Sequence, residues 1–76
     1  PMTTIMEDNR PISALIFIDD SCFKVNEKGV TKIEAYTECG EMAPIVWFKV
    51  YFDNKMMQRV NSKYIATIQY KEGDTP

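Results

Sequence analysis

Glu38, Cys39 and Glu41 crowd around Gly40, and Asp19 and Asp20 stand side by side in this 76-residue chain. Carboxylates and thiols are the groups that ligate metals or serve as nucleophiles and bases. Neither set has the partners that such chemistry needs. The chain contains no histidine, which removes the usual base near neutral pH and the commonest neutral metal ligand. Cys22 and Cys39 are too few for a four-ligand metal site and too far apart for a redox pair. They are expected to be reduced, in a cytoplasmic setting, with at least one filling the core. A disulfide between them is the alternative. In a turn, Asp19 and Asp20 are simply solvated, and a hydrolytic site built from Asp19, Glu34 or Glu41 has little support. A single small domain also leaves little room to desolvate and orient a reacting group. The expectation is a protein that is not an enzyme and uses neither cofactor nor metal.

The residues that carry more information are aromatic and basic. In the run Ile45 to Phe52 (IVWFKVYF), period-two alternation puts Val46, Phe48, Val50 and Phe52 on one face. That face is wholly apolar and reads as core. The other holds Ile45, Trp47, Lys49 and Tyr51, aromatic but interrupted by a lysine, so it is expected to be partly exposed. Trp and Tyr combine contact area with a polar atom and are enriched at binding hot spots. Trp47, Tyr51, Met56 and Tyr64 are therefore the candidate protein-binding residues, with Met42 near the same region. The bland alternative is that the aromatics cap the domain and the methionines fill gaps. Lys49, Lys55, Arg59 and Lys63 lie close to these aromatics in sequence. Together they fit the stacking and phosphate-contacting pattern of single-stranded nucleic-acid binders, although solubilising charge explains each one singly. Asn61 is expected to cap a turn with its own side chain.

These side chains need strands to position them. Ile12 to Ile18 is rich in β-branched and aromatic residues and is too short for a good helix. Asp19-Asp20 suits a turn, and Ser21 to Val25 extends again. Asn26-Glu27-Lys28-Gly29 is a hairpin signal, with Gly29 free to take the left-handed conformation. Val30 to Thr37 is then the returning strand, with Val30, Lys32, Glu34 and Tyr36 on one face. A loop around Gly40 leads to Ile45–Phe52, a polar turn at 53–55, Met56 to Val60 and a last strand from Tyr64 to Tyr70. One helical turn fits in the N-terminal segment or around Asn61 to Tyr64. The expected fold is all-β, with five or six short antiparallel strands forming a curled sheet or a small barrel of the SH3-like kind, which would leave no open edges.

Length and charge bound the function. The chain is one domain at most, and a domain of this size buries only about 60% of the surface its unfolded form exposes. Residues 1–11 read as a flexible arm, 12–72 as the domain and 73–76 as a disordered tail. Pro1 precedes Met2 and reads as a protease-site remnant, so the natural chain is expected to start at Met2 and to be complete. No signal peptide and no membrane-length apolar run is visible. Net charge is −2, from 9 basic and 11 acidic residues. Acids dominate residues 1–41 and bases dominate 42–76, but the total lacks the strong positive balance typical of phosphate-backbone binders. The leading expectation is a small regulatory or accessory protein, of the phage or bacterial kind, that binds protein. Its partner is a second copy first, as a homodimer, or a larger target. The alternative is a barrel that binds single-stranded nucleic acid or a nucleotide.

Overall fold

The computed structural model describes residues 11–71. The flexible arm and tail expected at the ends lie outside the described residues, apart from Pro11. The carbonyl of Pro11 accepts a hydrogen bond from Lys71 N at 2.7 Å, which joins the two ends of the described chain.

Six strands form: β1 (Ile12–Phe17), β2 (Cys22–Lys24), β3 (Val30–Cys39), β4 (Pro44–Phe52), β5 (Met57–Asn61) and β6 (Ile65–Tyr70). A single 3-10 turn, Ser62–Tyr64, separates β5 from β6. The strands make two three-stranded antiparallel sheets, ordered β2-β1-β6 and β3-β4-β5. The alternation of β4 holds from Val46 to Tyr51, with Val46, Phe48 and Val50 buried and Trp47, Lys49 and Tyr51 half-buried on the opposite face, while Phe52, expected in the core, is only half-buried. Ile12 and Leu15 from the first sheet meet Val30, Ile33, Val46, Phe48, Val50 and Val60 from the second in one apolar cluster. Two sheets each present an apolar inner face, and the core lies between them. Phe23 bridges the edge of this cluster, with its ring edge-on to Phe17 (5.7 Å) and Phe52 (5.9 Å).

The expected barrel or curled sheet is corrected. Closure would need β2 to pair with β3, or β5 with β6, and neither pair is made. The chain leaves one sheet for the other instead. Asn26, Lys28 and Gly29 all have positive φ, at 75°, 52° and 83°, so the turn forms where expected but rotates the chain out of plane. The segment before it pairs with β1 rather than with β3, and the anticipated hairpin does not exist. The 3-10 turn does the same work between β5 and β6. The face expected for Val30 is corrected as well. A register shift between Val30 and Lys32 inserts an extra residue, and such a bulge reverses the alternation beyond it. Val30 is buried while Lys32 is exposed.

The Gly29 turn is fastened to the second sheet, where Asp53 N donates to the Gly29 carbonyl at 2.8 Å. A Cβ at Gly29 would lie 3.2 Å from Asp53 Oδ1, at a φ of +83°. Gly29→Ala is expected to cost about 1–2 kcal/mol, the left-handed penalty of an L-residue. In a domain this small each kcal/mol lowers Tm by about 4–8 °C. A thermal melt unchanged by the substitution would show that the turn relaxes at no cost.

Neither cysteine fills the core. Cys22 and Cys39 are both free and exposed, because each lies at a strand end beyond the packed core. Asp19 and Asp20 are exposed turn residues. Asp19 accepts from the Ser21 hydroxyl at 2.6 Å and from Ser21 N at 3.0 Å, and these bonds hold its carboxyl below the usual carboxylate range.

Candidate functional site

The outward face of β3-β4-β5 carries the aromatic residues. Cross-strand pairing sets them in rows: Lys32, Tyr51 and Met57; Glu34, Lys49 and Arg59; Tyr36, Trp47 and Asn61. Directly opposed residues share a face and lie about 4.5–5.5 Å apart at Cβ. The rows therefore bring Tyr36, Trp47 and Tyr51 onto one surface with cations set between them. Lys49 Nζ stands 4.7 Å from the Tyr36 ring centroid. The Arg59 guanidinium lies 4.3 Å from the Trp47 centroid and 5.9 Å from that of Tyr36. Contacts of this kind are worth about 0.5–1 kcal/mol each at exposed positions.

Acids interleave with these cations. Lys32 Nζ pairs with Glu34 at 2.8 Å, and the Tyr51 hydroxyl donates to Glu34 Oε1 at 3.1 Å. Arg59 reaches Glu38 at 3.8 Å. The Lys32 ammonium and the Tyr51 hydroxyl hold the Glu34 carboxyl below its usual range. Glu34 in turn pushes the Tyr51 phenol and the Lys32 ammonium upward. A depressed carboxyl stabilises the fold above its unfolded pKa, and the gain is lost as pH falls through the lowered folded value. The raised phenol acts oppositely, and its contribution disappears as pH rises through the folded value. Both pairs lie at the surface, so their effect on total stability is small. An NMR titration should place Glu34 below an ordinary glutamate, and Lys32→Gln should move it upward. An unmoved midpoint would remove Lys32 as the cause.

At one end of this face a cleft of about 410 Å³ opens beside Trp47, lined by Phe17, Arg59, Asn61, Lys63 and Tyr64 among others. The turn that follows β5 builds it. The Asn61 side chain accepts from Lys63 N at 2.9 Å and caps the 3-10 turn, as its place in the sequence implies. This cap swings Lys63 and Tyr64 outward, with Lys63 Nζ 5.1 Å from the Tyr64 ring centroid. Trp47 Nε1 is buried and has no hydrogen-bond partner. A buried donor left in that state costs about 1–3 kcal/mol.

The residues singled out from sequence divide accordingly. Trp47 and Tyr64 meet in the cleft, and Tyr51 lies farther along the same face as Trp47. Met56 is exposed in the turn before β5, whereas Met57 stands opposite Tyr51. Met42 is exposed in the loop between β3 and β4. Of the basic set, Lys49 and Arg59 are direct cross-strand partners and Lys63 joins Arg59 at the cleft. Lys55 sits apart in the β4–β5 turn, at a φ of 71°. Sequence reasoning left out Tyr36 and Phe17 as site residues and weighed Glu34 only as a hydrolytic acid. The alternation of β3 placed Tyr36 and Glu34 on a common face but could not supply the register against β4. Phe17 comes from the other sheet and carries no local signal.

Among the described residues no group of three or more His, Cys, Asp and Glu is placed to hold a metal ion. No helix there is long and apolar enough to cross a membrane. What the arrangement offers is surface: aromatic rings, exposed cations and methionines, and one buried unpaired donor. Nothing in the structure or in its likenesses supports a homodimer or a phage or bacterial origin. The chain matches no family model, no curated protein and no solved structure.

Proposed function

We propose that this is a small, non-enzymatic accessory or regulatory protein that binds another protein through the outer face of β3-β4-β5, centred on Trp47. The observation that carries this reading is the unpaired indole N–H of Trp47 on a face that also holds half-buried Tyr36 and Tyr51. Trp, Tyr and Arg are the residue types that dominate binding hot spots, and all three meet here. Exposed Met57 adds an adaptable apolar contact at the Tyr51 end. Free, exposed Cys22 and Cys39 suit a reducing compartment such as the cytoplasm.

A second reading keeps one observation in its favour. Lys49, Arg59 and Lys63 gather around Tyr36, Trp47 and Tyr64, as a single-stranded nucleic-acid surface requires. Glu34, in the row of Lys49 and Arg59, and Glu38, 3.8 Å from Arg59, oppose it by placing negative charge beside these cations. Affinity capture on immobilised wild-type protein and on Trp47→Ala separates the two. Protein partners retained by the wild type, lost by the variant and little affected by salt support the proposal. Retention of oligonucleotide alone, falling steeply with salt, would replace it. Light scattering over a dilution series tells whether a retained protein is a second copy of the chain.

A further inference from the structure

We infer that the cleft beside Trp47 takes an acidic, acceptor-rich peptide segment of the partner protein. This rests on the protein-binding reading and adds the chemistry of the occupant. The cleft is rich in donors. Arg59 and Lys63 bring cationic ones and Asn61 brings an amide, while the N–H of Trp47, which also lines the cleft, is buried without a partner. Among the described residues no acid lines it, although the whole chain carries a net charge of −2. Its walls are the rings of Phe17, Trp47 and Tyr64, which pack apolar side chains. Carboxylates and backbone carbonyls supply the acceptors that this set of donors lacks.

The free protein holds the site with a weak internal contact. Glu38 approaches Arg59 only to 3.8 Å, and both side chains are about half exposed, at 53% and 45%. An exposed pair of that kind is worth about 0–1 kcal/mol. An incoming carboxylate displaces Glu38 and draws Arg59 off the face of the indole, which frees the ring to turn its N–H toward an acceptor. A charge-assisted bond and a newly satisfied buried donor then form together. A nucleic-acid strand fits less well. Its phosphates run on beyond two cations, and the rows next to the cleft carry Glu34 and Glu38.

The test uses the full chain and a short peptide alternating glutamate and leucine. Its glutamine and lysine counterparts and an oligothymidylate of matching length serve as comparisons. Trp47 is the only tryptophan, so its emission reports occupancy directly. The glutamate peptide should bind and shift that emission, and the glutamine and lysine peptides should not. Followed by anisotropy of a labelled peptide, Trp47→Phe should weaken binding about tenfold, the loss of one hydrogen bond to a charged acceptor. Lys63→Gln should weaken it several-fold, and Glu38→Gln should strengthen it by freeing Arg59. Equal binding of the glutamine peptide, tighter binding of oligothymidylate, or an affinity indifferent to Trp47→Phe would overturn the inference. The two levels fail separately. Partner capture that needs Trp47 but is neither competed by the glutamate peptide nor weakened by Lys63→Gln removes the acidic occupant and leaves the binding face. Capture that ignores Trp47→Ala removes both.

Discussion

Phe48→Ala is expected to remove about 3–5 kcal/mol from the stability of the fold. Phe48 is 1% exposed and stands opposite Ala35 on β3 and Val60 on β5, at the centre of the second sheet's inner face. Removing a buried phenylalanine costs about 3–5 kcal/mol, part from lost transfer energy and part from the cavity left behind. The cavity term should be near its upper end here. Both neighbouring strands are fixed by continuous pairing, and Leu15 and Val50, at 0% exposure, already fill the facing space. A domain of this size has about 4–11 kcal/mol in total, at 0.05–0.15 kcal/mol per residue. One side chain therefore holds about a quarter or more of it. Chemical denaturation read by circular dichroism gives the number directly. A loss below about 1 kcal/mol would mean that the inner face is not where the fold's stability lies.

The burial of Phe48 is legible in the sequence, because it depends only on alternation. The run IVWFKVYF divides into one wholly apolar face and one mixed face, and burial follows that division from Val46 to Val50, while Phe52 at the strand end is only half-buried. The order of strands is legible for the same reason, down to the helical turn after Asn61. Their arrangement in space is not. Local pattern marks a turn at 26–29, but the rotation there depends on three left-handed choices, at Asn26, Lys28 and Gly29. Glycine announces that choice by its type and asparagine does so more weakly, but lysine gives no sign of it. The bulge after Val30 is equally silent, since Thr31 fits a regular strand as well as an irregular one. A barrel and a two-layer packing have the same strands and the same inward residues. They differ in edge pairing, which side-chain periodicity does not encode.

The site shows the same division. Trp47, Tyr51, Arg59 and Lys63 stand out by residue type, and the structure brings Trp47, Arg59 and Lys63 to one cleft. Their pairing depends on register. Shifting β5 by a single residue would put Arg59 on the inner face and Val60 on the outer one. The burial of Val60 is what forbids that shift, so the core residue fixes where the guanidinium stands. Met56 and Met57 show the limit of reading type without register. The two are adjacent and chemically identical, and only pairing with Tyr51 selects Met57 for the aromatic face.

Trp47→Phe should separate stability from binding in opposite directions. In the free protein the indole N–H is buried without a partner, a cost of about 1–3 kcal/mol. Phenylalanine removes that donor and keeps most of the ring on which Arg59 stacks. The change of size on a half-exposed face is tolerated, so the free variant should be as stable as the wild type or more stable, by about 1 kcal/mol. The partner loses the hydrogen bond that the indole would have made, so binding should weaken about tenfold. Trp47→Ala goes further. It also removes the ring and the cation–π contact, and hot-spot truncations of this kind cost about 2 kcal/mol or more, roughly 30-fold in affinity. Its cost to the fold should stay near about 1 kcal/mol, since the lost packing is offset by removing the unpaired donor. Paired melts and binding curves for the two variants give four numbers. A Trp47→Phe protein that is clearly less stable would show that the N–H is satisfied within the fold, and the indole would then be a structural residue. A Trp47→Ala protein that unfolds while Phe48→Ala does not would reverse the two faces of β4. A variant that gains stability and loses affinity leaves one explanation, because an unsatisfied donor harms the free protein and helps only the complex that supplies its acceptor.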